Sequence, residues 1–285
     1  MSIRTNDRFF VSFDKTPIHY LWVRAEAPPK AAVVIVHGSG EYGGRYREFA
    51  GFLAENGYSV YALDLRGFGE SGGDRAFVAN FDEYAKDILA LVRHAQNESK
   101  KAVFLLGHSL GGLIAAYIAA NAQNTGLAGL ILSSPCFELA FPVPGYLILL
   151  AEIMALVWPK FLHKTPIQPQ RLTHDPDMID RYLKDHKILH RISSRLYVQM
   201  TRQFMRLGKI ATGIRCPVLV AQAGEDAIVD QKASSKFYNL LTQSDKKFIL
   251  YDGFRHEILN ETERKRPYQD ILQWLDQHQG SVSSQ

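Results

Sequence analysis

Ala102-Val103-Phe104-Leu105-Leu106-Gly107-His108-Ser109-Leu110-Gly111-Gly112 is the stretch whose reading decides the fold. An apolar run of β type, Ala102 to Leu106, passes through Gly-x-Ser-x-Gly into an alanine-rich helical run from Leu113 to Ala122. A serine on so sharp a strand-to-helix turn is held with its hydroxyl exposed above the sheet, and the flanking glycines let neighbouring chains pass closely. Ser109 is therefore the candidate nucleophile. The pentapeptide alone also occurs in ordinary turns, so the reading needs an acid and a histidine later in the chain, in the order Ser, Asp, His.

The acid belongs at the end of a late strand. Pro217 to Ala223 is a short apolar run followed by Gly224-Glu225-Asp226. Asp226 is the candidate; Glu225 and Asp230 are rivals, each of which can instead be a solvated loop carboxylate or a cap on the helix starting near Gln231. The base should follow the last strand, and Lys247 to Tyr251 leads through Asp252-Gly253-Phe254-Arg255 to His256. The chain has 10 histidines. His94 and His190 sit in helical segments, His108 is the motif's variable position, and His37 precedes a glycine turn. The alternative for His256 is a half-exposed loop histidine.

These residue types fit one chemistry. A serine hydroxyl is a weak nucleophile near neutral pH, so an imidazole must take its proton during attack and return it to the leaving group. A carboxylate fixes the imidazole's tautomer and stabilises the imidazolium, and water then clears the acyl-enzyme. Attack on an ester carbonyl creates an oxyanion that needs backbone donors aimed at it. One is the amide of Leu110. The other, by position, is the amide of Ser39 in His37-Gly38-Ser39-Gly40, a turn after the apolar strand Ala31 to Val36; the alternative is a turn that merely connects. The scheme calls for no metal and no cofactor.

His37-Gly38-Ser39-Gly40-Glu41, Arg45-Tyr46, Asp64-Leu65-Arg66-Gly67-Phe68-Gly69-Glu70-Ser71, Gly107-His108-Ser109-Leu110-Gly111-Gly112 and Ser133-Ser134-Pro135 together resemble the monoacylglycerol lipase and lysophospholipase family of serine hydrolases. The resemblance covers nearly the whole chain and is least specific from Phe137 to Lys209, where such proteins place a variable cap. It implies a serine esterase acting on single-acyl lipids, with Ser109, Asp226 and His256 at the family's catalytic positions. Arg45-Tyr46 matches the family pattern without a role that the residues themselves suggest.

Asp64 to Ser71 could suggest nucleotide binding, but a dinucleotide fingerprint places its acid about twenty residues after the glycines, and here Asp64 precedes them. A structural loop shaping the pocket floor is expected instead. With 285 residues, 46% apolar and 22% charged, the chain is an ordinary globular protein with room for one substantial core. Cys136 and Cys216 have neither metal-site nor disulfide spacing, which points to a reducing, cytoplasmic setting. Met1 to Asp7 lacks the apolar core of a cleavable signal.

Phe9 to Phe13 and Ile18 to Val23 read as an antiparallel pair around Asp14-Lys15-Thr16-Pro17. Thereafter strands near 31–37, 58–64, 102–106, 127–132, 217–223 and 247–251 alternate with helical runs near 45–55, 81–96, 110–122, 231–241 and 263–277. That alternation predicts an α/β-hydrolase fold: a mostly parallel central sheet flanked by helices. Residues 1–135 and 210–285 form the expected catalytic core, 136–209 an inserted helical cap, and 279–285 a disordered tail.

Within the cap, Gly145 to Trp158 is apolar nearly all round, broken by Glu152 and bounded by Pro144 and Pro159. It falls short of the roughly 18 to 20 residues of a membrane span. A cap helix is expected, one face on the core and the other along an acyl chain or against a lipid surface. From Lys160 to Lys209 there are eleven Lys and Arg against four Asp, although the whole chain carries only +4. A basic, apolar flap suits transient contact with an anionic membrane surface or head group, unless the charges form a scattered, solvated face. No aromatic-basic motif or reading helix points to nucleic acid. The expectation is thus a soluble hydrolase of medium- or long-chain lipid esters, peripheral to a membrane at most. The alternatives are a general carboxylesterase for small esters and a non-catalytic binding protein on the same fold.

Overall fold

The computed structural model describes residues 4–121, 126–165 and 167–279. The chain opens with a hairpin, β1 (Arg4–Val11) and β2 (Pro17–Arg24). The first strand thus lies earlier than the expected Phe9 to Phe13. Ser12 donates its amide to Thr16 O at 2.9 Å, Lys15 its amide to Ser12 O at 3.0 Å, and Lys15 takes a positive φ of 69°, so Ser12 and Phe13 already belong to the turn. β1 is an edge strand. Its polar Asn6 and Arg8, useful on an edge that must not recruit other chains, hide it from a search for apolar runs.

The chain continues as β3 (Ala31–Val36), a 3-10 turn Gly43–Tyr46, α1 (Arg47–Glu55), β4 (Tyr58–Leu63), α2 (Phe81–Ser99), β5 (Val103–His108), α3 (Leu110–Asn121) and β6 (Leu127–Ser133). It then leaves the sheet for α4 (Gly145–Val157), β7 (Leu162–Lys164), α5 (Pro176–Lys184), β8 (Arg191–Ser193), α6 (Ser194–Phe204) and α7 (Leu207–Gly213). It returns as β9 (Val218–Ala223), α8 (Gln231–Leu240), β10 (Lys246–Tyr251) and α9 (Lys265–His278). The excursion was expected to be helical; the structure adds the short antiparallel pair β7–β8, three residues each and too brief to leave a pattern. Of the expected tail, Gln279 follows α9 and the rest lies outside the described residues, as do Met1 to Ile3 and Ala122.

The eight-stranded sheet has the order β1-β2-β4-β3-β5-β6-β9-β10, parallel from β4 to β10 and antiparallel at β1–β2 and β2–β4. The two-residue period of a strand splits each central one between two cores. Val34, Val36, Leu105 and Val220 pack on one face with Ile88 of α2, Ile114 of α3 and Phe237 of α8. Val33, Ile35, Leu106 and Leu219 pack on the other with Phe49 of α1 and Trp274 of α9. Covered on both sides, β3 to β6 and β9 are buried throughout, which is why they read as unbroken apolar runs. The C-terminal ends of β3, β5 and β9 lead into Gly38, Ser109 and Asp226, placing the candidate groups along one rim.

Candidate active site

Ser109 sits between β5 and α3 with φ of 52°, in the left-handed region that costs a side-chain-bearing residue energy. Its backbone is pinned from several sides. The amide donates to Ser133 O at 3.0 Å, and the carbonyl accepts from Gly112 N at 2.9 Å and Cys136 N at 2.9 Å. The turn closes this tightly because of two glycines. A Cβ on Gly107 would stand 2.2 Å from Gly111 O, and one on Gly111 would stand 2.2 Å from Val36 O.

Asp226 follows β9, and its side chain is fully buried. Its Oδ1 accepts the amides of Ile228 and Val229, both at 2.9 Å, and its Oδ2 lies 2.8 Å from His256 Nδ1. Gln222 Nε2 also donates to Oδ2, at 3.3 Å. Burial opposes the carboxylate's charge, but the His256 imidazole and these amides outweigh it and hold the pKa below the usual 3.8. The rivals stand elsewhere. Glu225 is exposed, and Asp230 caps α8 by accepting the amide of Lys232 at 2.8 Å. His256 is buried, not half-exposed, and with Nδ1 donating to Asp226 its Nε2 is left as an acceptor.

Other histidines are otherwise engaged. His37 accepts the Leu65 amide on Nε2 at 2.9 Å and directs Nδ1 to Gly38 O at 2.7 Å. His108 lies 4.8 Å from His256, ring centre to ring centre, and burial, with the charge of His256, pushes its pKa down to about 4. It stays neutral. His94 contacts Tyr20 of β2, Tyr61 of β4 and Glu98 one turn along α2. His190 lies against the Tyr182 ring.

Two cavities meet at Ser109. One, about 520 Å³, is lined by Ser39, Ser109 and Leu110 and then almost wholly by apolar side chains, among them Leu139, Leu147, Leu150 and Met200. The other, about 30 Å³, mixes apolar walls such as Leu172 and Ile228 with Ser39, Glu41, Arg45, Ser109, His256 and Glu257. Ser109 and His256 thus share a chamber. Among the described residues, no protein acceptor takes the amide of Ser39 or of Leu110. The Asp64 loop is structural, Asp64 accepting the amides of Gly43 at 2.7 Å and Glu70 at 2.8 Å and facing His19 Nδ1 at 2.9 Å. It borders neither cavity, so the expectation that it shapes the pocket floor is corrected: its bonds tie it to His19 of β2 and, through the Leu65 amide, to His37 behind the turn.

The sequence reading left Arg45 without a task and passed over Glu41 and Glu257. In the structure Glu41 accepts the Gly38 amide at 2.6 Å, and Arg45 bridges Glu41 and Glu257. Their signal was faint: Glu41, Arg45 and Tyr46 lie in a stretch that resembled a family pattern, and Glu257 follows His256. Among the described residues, no group of His, Cys, Asp and Glu is arranged to hold a metal ion, and no helix is long and apolar enough to cross a membrane.

With that geometry in place, the chain can be set beside known proteins. The model of the family described as serine aminopeptidase, S33, matches residues 27–263. A phospholipase of Bacillus subtilis (strain 168), YtpA, is 30% identical over 259 residues, covering 90% of this chain and 100% of its own. A human monoglyceride lipase is 30% identical over 93% of this chain and 89% of its own. A crystal structure of the monoacylglycerol lipase of Paleococcus ferrophilus superposes with a TM-score of 0.82 at 28% identity, covering 98% of this chain and 100% of that one.

Proposed function

The chain belongs to the serine aminopeptidase, S33, family and is an ester hydrolase of the α/β-hydrolase fold; from that premise we propose that it cleaves the carboxylic ester of single-acyl lipids, monoacylglycerols or lysophospholipids. Ser109 attacks the ester carbonyl, His256 Nε2 takes its proton, and Asp226 holds the imidazole and stabilises its charged form. The amides of Ser39 and Leu110 receive the oxyanion. His256 then returns the proton to the leaving alcohol, and a water activated by the same nitrogen releases the fatty acid.

One observation carries this reading: Ser109, on its strained turn, borders both a large apolar cavity suited to an acyl chain and the small chamber that His256 also lines. The names of the relatives, a phospholipase and a monoglyceride lipase, support the substrate class. Residues 136–209 act as the cap, supplying Leu147, Leu150 and Met200 to the acyl cavity. The outer side of α4, with Tyr146, Leu149, Leu156 and Val157 between 58% and 79% exposed, touches the lipid surface from which substrate is drawn.

A fluorophosphonate probe, followed by product analysis on monoacylglycerols and lysophospholipids of graded chain length, tests the proposal. Stoichiometric labelling at Ser109 is expected, lost in Ser109→Ala and much reduced in His256→Ala, with turnover rising toward longer chains. Labelling that survives both changes overturns the nucleophile. Turnover confined to acetyl and butyryl esters overturns the lipid reading.

A further inference from the structure

The two halves of the proposed site come from opposite ends of the chain. The turn carrying the Ser39 amide follows β3, whereas His256 follows β10, and the sheet fixes only the strands behind them. Among the described residues, the hydrogen bonds between the turn and the loop come from one guanidinium. Glu41 Oε1 accepts the Gly38 amide at 2.6 Å and the Tyr46 hydroxyl at 2.9 Å, while its Oε2 accepts Arg45 Nη1 at 2.7 Å. Arg45 then grips Glu257 with both ends of its fork, Nη1 to Oε1 and Nη2 to Oε2, each at 2.7 Å. Glu257, next in sequence to His256, is held in turn by Asn260 Nδ2 at 2.7 Å and by its own amide on Leu172 O at 2.8 Å.

The linkage runs unbroken from the Gly38 amide, just before Ser39, to the residue after His256, and its Arg45–Glu257 step alone spans 212 positions of sequence. All three charged side chains are at most 10% exposed. Burying charges is a poor way to gain stability, since well-packed apolar groups of like volume often serve as well or better. What a buried, bidentate guanidinium supplies beyond stability is direction: its planar fork fixes distance and angle at both carboxylates, which a lysine's single ammonium does not. Arg45 lies apart from the acyl cavity, whose lining includes neither it nor its two partners.

We infer that Arg45 is a positioning residue, setting the separation between the Ser39 amide and His256 and so acting on the rate of acyl transfer and not on acyl-chain binding. The inference rests on the reading of Ser39 as oxyanion donor and His256 as base. It assigns a task to Arg45, for which the residues of the sequence by themselves suggested no role.

Steady-state kinetics on a soluble octanoyl ester test it, in wild type, Arg45→Ala, Arg45→Lys and Glu257→Gln. A displacement of about 1 Å at such a site costs on the order of 100-fold, so kcat should fall by about that much in Arg45→Ala while KM stays within about threefold. Free guanidinium ion, well below denaturing concentration, should recover at least about tenfold of that loss, whereas Arg45→Lys, with charge but no fork, should stay at least about tenfold below wild type. A kcat within about threefold of wild type in Arg45→Ala, a change in KM alone, or no response to guanidinium in a folded variant overturns the inference. Should Arg45→Ala fail to fold, Glu257→Gln decides: about a tenfold or greater loss of kcat with cooperative melting retained is expected, and an unchanged kcat overturns it. Fluorophosphonate labelling of wild type and Ser109→Ala separates the failures, because labelling lost in Ser109→Ala leaves the proposed function standing whatever Arg45 does.

Discussion

His256 Nδ1 and Asp226 Oδ2 stand 2.8 Å apart, their side chains 4% and 0% exposed. Burial alone would drive the imidazole's pKa down, but the charge and hydrogen bond of Asp226, with Glu257 and Glu41 behind, outweigh it and raise the pKa above 6.5. A base must be neutral to take the Ser109 proton, so kcat/KM should rise with pH to a half-maximum above 6.5. A half-maximum at or below that value contradicts the arrangement. Stability runs the other way: the folded protein binds this proton more tightly than the unfolded chain, so the contribution is full below pH 6.5 and is lost as pH rises through the folded value. The melting-temperature gap between wild type and His256→Gln should therefore narrow as pH climbs through that window.

Gly111→Ala should damage the fold and not merely the site. Its Cβ would meet Val36 O at 2.2 Å and His37 O at 2.5 Å, backbone atoms of the sheet and its rim that no rotamer change can clear. Denaturant titration should show a loss of about 3 kcal/mol or more. A loss under about 1 kcal/mol would mean that α3 and β3 are not packed this closely.

Leu150→Trp should shorten the acyl chain the protein accepts. Leu150 lines the apolar cavity from α4 yet is 46% exposed, so a larger ring can be seated there without breaking the core. The ratio of kcat/KM for dodecanoyl over butyryl esters, measured with monomeric substrate, should fall about tenfold or more. An unchanged ratio would place the chain elsewhere.

Tyr146, Leu149 and Leu156 are exposed and are not among the residues lining that cavity. Replacing all three with serine should weaken binding to mixed phosphatidylcholine and phosphatidylglycerol vesicles by at least about 100-fold, given about 0.8 kcal/mol per buried methylene. Hydrolysis of a soluble butyryl ester should be unaffected. Vesicle binding that persists in a sedimentation assay would move the membrane contact off α4.

Much of this was legible in the sequence, and the reason is locality. Gly107, Ser109 and Gly111 are close neighbours whose spacing encodes the strand-turn-helix that the structure has, and β3 to β6 announce themselves because sheets covered on both faces need continuous apolar runs. Asp226 and His256 could be anticipated as the ends of apolar strands, although nothing local told Asp226 from Glu225; only the fold buries one and exposes the other. The edge strand β1 was misplaced because its polar residues carry no periodic signal. Arg45 was opaque for a deeper reason. Its partner Glu257 lies 212 residues away, and a pair made by tertiary packing leaves no mark at either position.

The positive φ of Ser109, the proposed nucleophile, sets that proposed reactive point against the molecule's own durability. Among the standard residues, glycine occupies that torsion most freely, so Ser109→Gly should yield an inert protein that melts higher than the native one, by about 1 kcal/mol at the turn. Turnover and endurance compete here at a single torsion angle, and thermostabilising substitutions should be sought anywhere but at this turn.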